Sequence, residues 1–276
     1  METHFRGWAK PGPVPPGANT PPVLPAGETL DAISGHFRIH QLERGHRFST
    51  DDVLTAWYGT SWVPSASMVL DLGSGIGSVG MIAAWRLPGA RFVTIEAQEV
   101  SVSLARKSAA YNGLTNRYEI RLGDFRDEGV LGDEERFDLI LGSPPYFPPG
   151  TGLPGDHPQK VACRFEMRGD IGDYARVAAL HLAAGGVFAC VFTEETRDRV
   201  DRATERANLV VVRRRPVVFR EGEPALIGLH LMMRRNDLPP AMHARPWVEP
   251  PLVIRTAAGG VHPEYAAVKL AVGFPP

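Results

Sequence analysis

One stretch, Val69-Leu70-Asp71-Leu72-Gly73-Ser74-Gly75-Ile76-Gly77, leaves a chain of this kind few ways to fold. An apolar run suited to a buried strand ends in a carboxylate and a glycine-rich turn, and the residues that follow enter a helix. Glycine lets a backbone approach a ligand closely, and a helix start offers N–H groups without internal partners. The turn therefore predicts an adenosine-type cofactor cradled at the end of a first strand. Gly75-Ile-Gly77-Ser-Val-Gly80 also satisfies the dinucleotide pattern, so the glycines alone leave the cofactor open.

From Met68 the rhythm is strand, helix, strand, helix, which predicts an α/β fold with a mostly parallel sheet and helices on both faces. Strands are expected at about 68–72, 91–95, 118–122, 137–142 and 186–192, and helices at about 77–87, 97–112, 171–183 and 194–207. Val210–Phe219 and Ala225–Met233 flank Arg220-Glu-Gly-Glu-Pro224 and read as a terminal antiparallel pair. At 276 residues and 43% hydrophobic content the chain can bury one full core. The expected divisions are a flexible or PPII-like Pro-rich tail at 1–26, a cap segment at 27–62, a core at 63–236 and a wrapping segment at 237–276. In the cap segment, Thr29–Ile33 and Phe37–Gln41 suggest a hairpin. Ser49 or Thr50 would cap a helix whose first turn carries Asp51 and Asp52.

A net charge of −1 excludes a globally basic surface and leaves room for local basic patches. Cys163 and Cys190 match no metal-ligand spacing, so no metal site is expected and the setting reads as reducing and cytoplasmic. No apolar run approaches the ~20 residues that span a bilayer, so no membrane role is expected.

In a nicotinamide site the first glycine should follow the strand directly, whereas here Asp71 and Gly73 hold that place. An acidic residue before G-x-G-x-G resembles the opening motif of class I S-adenosylmethionine-dependent methyltransferases. The second strand ends at Glu96, a carboxylate able to accept both ribose hydroxyls, and the third ends in Gly123-Asp124-Phe125. Asp124 is placed to accept an adenine amino group and Phe125 to flank the ring. With Gly73, Ser74, Gly75 and Gly77 these residues make the expected S-adenosylmethionine site.

After the fourth strand comes Ser143-Pro144-Pro145-Tyr146-Phe147. Prolines fix φ and remove N–H donors, leaving a rigid turn whose carbonyls and serine oxygen can accept the hydrogens of a planar amine, with an aromatic face behind. The same residues also suit a plain turn with its ring on the core. The pattern resembles the (Asn/Asp/Ser)-Pro-Pro-(Tyr/Phe) motif of amino-group N-methyltransferases.

Thr29-Leu-Asp31, Arg47-Phe-Ser-Thr-Asp51-Asp-Val-Leu54, Ala162-Cys-Arg-Phe-Glu166, Pro251-Leu-Val-Ile254 and His262-Pro-Glu264 narrow this further. Together with the two motifs they resemble the bacterial tRNA (adenine-N6)-methyltransferase family, which modifies an adenine beside the anticodon of a valine tRNA. The resemblance covers about residues 28–270. It implies a Rossmann-like class I methyltransferase with a mostly parallel seven-stranded sheet, Phe48, Ser49, Thr50 and Asp51 beside the cofactor's methionine end, and Ser143, Pro144, Pro145 and Tyr146 holding the target amine. Ser143 stands where that family commonly has Asn, and serine there also occurs in enzymes acting on the cytosine amine.

An RNA substrate would need phosphate and base contacts. Candidates are Arg38, His40, Arg44, His46 and Arg47 on one side and Arg213, Arg214, Arg215 and Arg220 on the other, with Phe147 as a base-stacking surface. The segment 148–157 suits a lid or an ordinary surface loop. Arg164 and Glu166 read as anchors for it. The alternatives are methylation of a protein glutamine amide, methylation of cytosine N4 in RNA or DNA, and a non-catalytic subunit that keeps the cofactor fold.

Overall fold

A computed structural model describes residues 3–20, 22–148, 150 and 157–276, the side chains of residues 162 and 164 excepted. Two short strands, β1 (His4–Phe5) and β2 (Trp8–Ala9), precede the hairpin of β3 (Glu28–Ala32) and β4 (Arg38–Leu42) and then α1 (Thr50–Trp62). The alternating core follows as β5 (Met68–Leu72), α2 (Ser78–Arg86), β6 (Arg91–Glu96), α3 (Glu99–Tyr111), β7 (Tyr118–Leu122) and β8 (Phe137–Gly142). It continues through α4 (Pro158–Arg164), α5 (Ile171–His181), β9 (Leu182–Thr193), α6 (Asp198–Arg206), β10 (Leu209–Arg220) and β11 (Ile227–Arg234). The chain closes with β12 (Trp247–Val248), β13 (Leu252–Arg255) and α7 (Pro263–Ala271).

Apolar runs without polar alternation must be covered on both faces. On one face Leu54 of α1, Met81 of α2 and Val268 of α7 pack with Leu139, Val191 and Leu229. On the other, Tyr174 and Val177 of α5 and Val200 of α6 pack with Ile140, Phe188 and Phe192.

The sheet runs β7-β6-β5-β8-β9-β11-β10, parallel throughout except β11, which is antiparallel to both neighbours. The expected antiparallel pair is present. Seven strands were expected and the sheet has nine among the described residues, because β12 and β13 add in parallel along the outer edge of β10. The reason is the length of β10: an exposed edge of twelve residues is a free ladder. Leu252 and Ile254 bury 1% and 4% exposed against it. Pro250 and Pro251 lack ladder donors and separate the two added strands.

The Pro-rich tail was expected to be flexible or PPII-like. Pro15 does hold PPII angles, at φ −72° and ψ 150°. The segment is nevertheless docked: a Cβ on Gly12 would lie 2.6 Å from the Trp85 indole nitrogen, and one on Gly17 would lie 2.5 Å from the Tyr111 ring.

The reversal of strand order between β5 and β8 places a crevice at the C-terminal ends of the parallel strands, where doubly wound sheets bind ligands.

Candidate active site

Local geometry begins with the glycine loop between β5 and α2. Gly73, Gly75 and Gly77 have φ of 61°, 55° and 86°, values that only glycine adopts readily, so the pattern of the loop is a backbone requirement. Gly77 caps α2 without a side chain, and Asp71 does that work from the strand: its Oδ2 accepts the Gly80 N–H at 2.9 Å. Glu96 does the same for the loop, its Oε2 accepting from Gly75 at 2.9 Å and its Oε1 from Gln98 at 2.7 Å. Burial pushes both carboxyls above their usual range. The backbone bonds work against that rise, only Gly80 for Asp71 and Gly75 with Gln98 for Glu96.

The N–H groups of Ser74, Gly75, Gly77 and Gly80 are thus already donated, to Ile95, Glu96, Ser74 and Asp71. A pyrophosphate needs such amides free and would meet two carboxylates. The loop is built for a ligand without phosphates.

A cavity of about 510 Å³ opens over the loop, a size suited to a nucleoside-type ligand. Asp51, Asp71, Glu96 and Asp124 line it together with Gly73, Ser74, Gly75 and Phe125, and Ser143 through Phe147 form another wall. A Cβ on Gly75 would meet no protein atom within 4 Å, so the glycine leaves open space. The buried Ser74 Oγ has no partner among the described residues. Acceptors for hydroxyls and amines, an acidic lining that favours a cationic sulfonium, and an unused hydroxyl together fit S-adenosylmethionine.

Asp124 is 2.6 Å from Arg126 through Oδ2 and accepts a second bond from it on Oδ1 at 2.9 Å. These bonds to Arg126 hold its carboxyl below the usual range. The acceptor expected for an adenine amino group therefore stays ionised and already shares its charge with a guanidinium.

On the wall formed by Ser143 through Phe147, the Tyr146 hydroxyl donates to Asp51 Oδ2 at 2.7 Å and its ring meets Phe192 edge-on at 5.5 Å. The turn is thereby pinned to the start of α1, where Ser49 caps the helix and Asp52 returns a bond to the Ser49 N–H at 2.8 Å. Ser143 has no hydrogen-bond partner among the described residues, so its Oγ is free to accept.

Residues 55–151 match the methyltransferase small domain. That span holds the glycine loop, all three strand-end carboxylates and the Ser-Pro-Pro-Tyr turn, the parts that shape the cavity. The chain resembles the tRNA (adenine-N6)-methyltransferase family. The tRNA1(Val) (adenine(37)-N6)-methyltransferase of Porphyromonas gingivalis is 37% identical over 118 residues, covering 40% of this chain and 45% of the relative. The aligned part thus spans under half of that relative's length. The enzyme of that name from Bacteroides thetaiotaomicron is 28% identical over 177 residues, 64% of this chain and 72% of the relative. A release factor glutamine methyltransferase from Aliivibrio fischeri is 34% identical over 83 residues, 30% and 28% of the two chains. The fold is that of a class I methyltransferase, similar to a protein of Agrobacterium tumefaciens described as a predicted O-methyltransferase, with a TM-score of 0.59, 17% identity and coverage of 82% and 98%.

Not every expected site residue lines the cavity. Gly77 is buried, Thr50 does not line the cavity, and Arg220 lies at the far sheet edge, donating to the Ala257 carbonyl at 3.3 Å. Arg47 lines the mouth but is tied to Asp31 at 2.9 Å. Arg214 and Arg215 pair with Glu194 and Glu264, and Arg213 is stacked between Trp62 and Trp247. His40 is buried against Glu28. His157 caps α4, and Glu166 lies 2.6 Å from Arg199. The lid reading at 149 and 151–156 and the side chain of Arg164 lie outside the described residues.

The structure adds Gln98, Lys160, Arg168 and Tyr174 to the lining. The first follows Glu96 closely enough for the strand-end rule to have found it. The others come from segments whose approach to the cavity no local pattern encodes.

Proposed function

We propose that the protein transfers a methyl group from S-adenosylmethionine to an exocyclic amine, N6 of an adenine in tRNA. The observation that carries this reading is the shared cavity: the Ser143–Tyr146 turn forms one wall of the space whose floor is the glycine loop. Asp71 and Glu96 shape the loop, Glu96 accepts the ribose hydroxyls, and Asp124 with Phe125 receives the adenine of the cofactor. When bound, the cofactor supplies an electrophilic methyl on a sulfonium. Ser143 Oγ and a carbonyl of the proline turn accept the hydrogens of the target amine, which turns its lone pair toward that methyl and aligns in-line displacement. Asp51 holds Tyr146, so the turn is rigid before the substrate arrives. The tRNA assignment draws on the named relatives.

The test is incubation of the purified protein with labelled S-adenosylmethionine and total RNA, followed by nucleoside analysis. Label in N6-methyladenosine is expected. Label in another nucleoside would correct the base, label in protein that survives nuclease would move the reading to a glutamine amide, and cofactor binding without any transfer would make the chain a binding subunit. Replacing Tyr146 with Phe, which frees the turn from α1, should lower kcat by about 10-fold and leave the cofactor Kd within about 2-fold, by the usual strength of a hydrogen bond to a charged group.

A further inference from the structure

Tyr174 of α5 is 4% exposed, lines the cavity, and has no part in the chemistry above. Its ring lies under two backbone segments at once. A Cβ on Gly73 would come within 2.1 Å of its Oη, and one on Gly142 would come within 2.8 Å of its Cδ1. Glycine at both positions is what admits the ring, one in the cofactor loop and one at the end of β8. Phe125 meets the ring edge-on with centroids 4.7 Å apart.

For that packing a phenylalanine would serve as well, so the hydroxyl needs its own reason. It stands among Glu96, Asp71 and Asp124, all acceptors, and bonds to none of the described residues. The hydroxyl opens onto the cavity, so a bound ligand can accept its hydrogen in place of solvent. The surrounding residues say which part of the ligand is near: Glu96 is the ribose acceptor and Asp124 and Phe125 the adenine contacts.

We infer that Tyr174 is a cofactor-contacting residue whose hydroxyl donates a hydrogen bond to an acceptor on the adenosine half of S-adenosylmethionine, an inference that rests on the cofactor proposed above. The contact makes Tyr174 a selector for the nucleoside, independent of the methyl acceptor.

Calorimetric titration of the full-length protein and its Tyr174→Phe variant with S-adenosylhomocysteine and with 5′-methylthioadenosine tests this, together with melting of both proteins without ligand. The wild type should bind both compounds. The variant should bind each about 5- to 10-fold more weakly, with an unchanged ligand-free midpoint, as loss of one neutral hydrogen bond requires. Equal affinities would overturn the inference, as would a loss confined to S-adenosylhomocysteine, which would put the hydroxyl at the amino-acid end. A lower midpoint without ligand would make the hydroxyl a structural group and overturn it too. Failure of the wild type to bind either compound would instead strike the cofactor reading itself.

Discussion

Asp52 sits wholly inside the protein beside the cavity, and burial lifts its carboxyl to about 6, against bonds from Ser49 and Ser78 that favour the anion. Its folded pKa thus lies above the unfolded value of 3.8, so the folded state takes up a proton as pH falls through 6 while the unfolded state does not. This residue contributes more stability at pH 5 than at pH 7, by about 1 kcal/mol. His230 acts oppositely in the same range. Burial, then Arg214 and Arg197, push its ring down to about 3, so its neutral form is lost to the unfolded state as pH drops below the ordinary histidine value. The Asp52 contribution is therefore read as a difference: the melting midpoint of wild type minus that of Asp52→Asn should rise by about 2–4 °C from pH 7 to pH 5. Neither ring nitrogen of His230 has a partner among the described residues, so His230→Leu should raise the midpoint by a similar amount, measured at pH 7. These details mark where sequence stopped informing about the site. Asp71, Glu96 and Asp124 announce themselves because strand ends in such sheets converge. That two of them bind backbone amides and the third a neighbouring arginine depends on side-chain reach across turns. Tyr174 reads in sequence as one more apolar-face residue of an amphipathic helix, and only the backbone gaps at Gly73 and Gly142 give it away.

Helix ends carry much of the local order. Ser49 and Asp52 form a reciprocal cap at the start of α1, the helix that holds Asp51 against Tyr146. Ser49→Ala should lower the midpoint by about 2–4 °C, the usual effect of losing a cap worth about 1 kcal/mol in a domain of this size. At the end of α2, Arg117 donates to the carbonyls of Ala84, Leu87 and Ala90 at 2.8, 3.2 and 3.0 Å, bracing the Leu87-Pro88-Gly89-Ala90 turn that leaves the helix. Arg117→Met leaves three carbonyls without that donor and should cost about 2–3 kcal/mol, read from urea unfolding. Elements of this kind were legible where period and punctuation agreed: the apolar runs at Val69–Leu72 and Leu139–Leu141 could only be covered strands, and Gly113 could only end α3. The ninefold sheet was not legible. Trp247-Val248 and Leu252–Arg255 are too short and too proline-bounded to read as strands by themselves, and they become strands only because β10 offers them an edge.

At the scale of the whole molecule, the two ends of the chain meet near one indole. Gly12, Gly35 and Gly273 each approach the Trp85 ring so closely that a Cβ would fall within 3.0 Å of it. The Gly35 N–H also donates to the Gly273 carbonyl at 2.6 Å. In a Trp8→Phe background, deleting residues 1–20 should expose the Trp85 ring, shift tryptophan emission to the red and lower the melting midpoint, while adding Trp85→Phe should abolish the difference in emission between the full and shortened chains. The sheet has a further consequence. β11 is the last core strand to be made, yet its place is in the interior, between β9 and β10. On a ribosome, the side of β9 that β11 will occupy stays unpaired until Ile227–Arg234 has cleared the exit tunnel, with Val191 and Phe192 waiting on an open edge. A nascent chain stalled at residue 220 would carry every residue of the glycine loop and of the Ser143–Tyr146 turn and would still be sticky, since half of its sheet has nothing to close it.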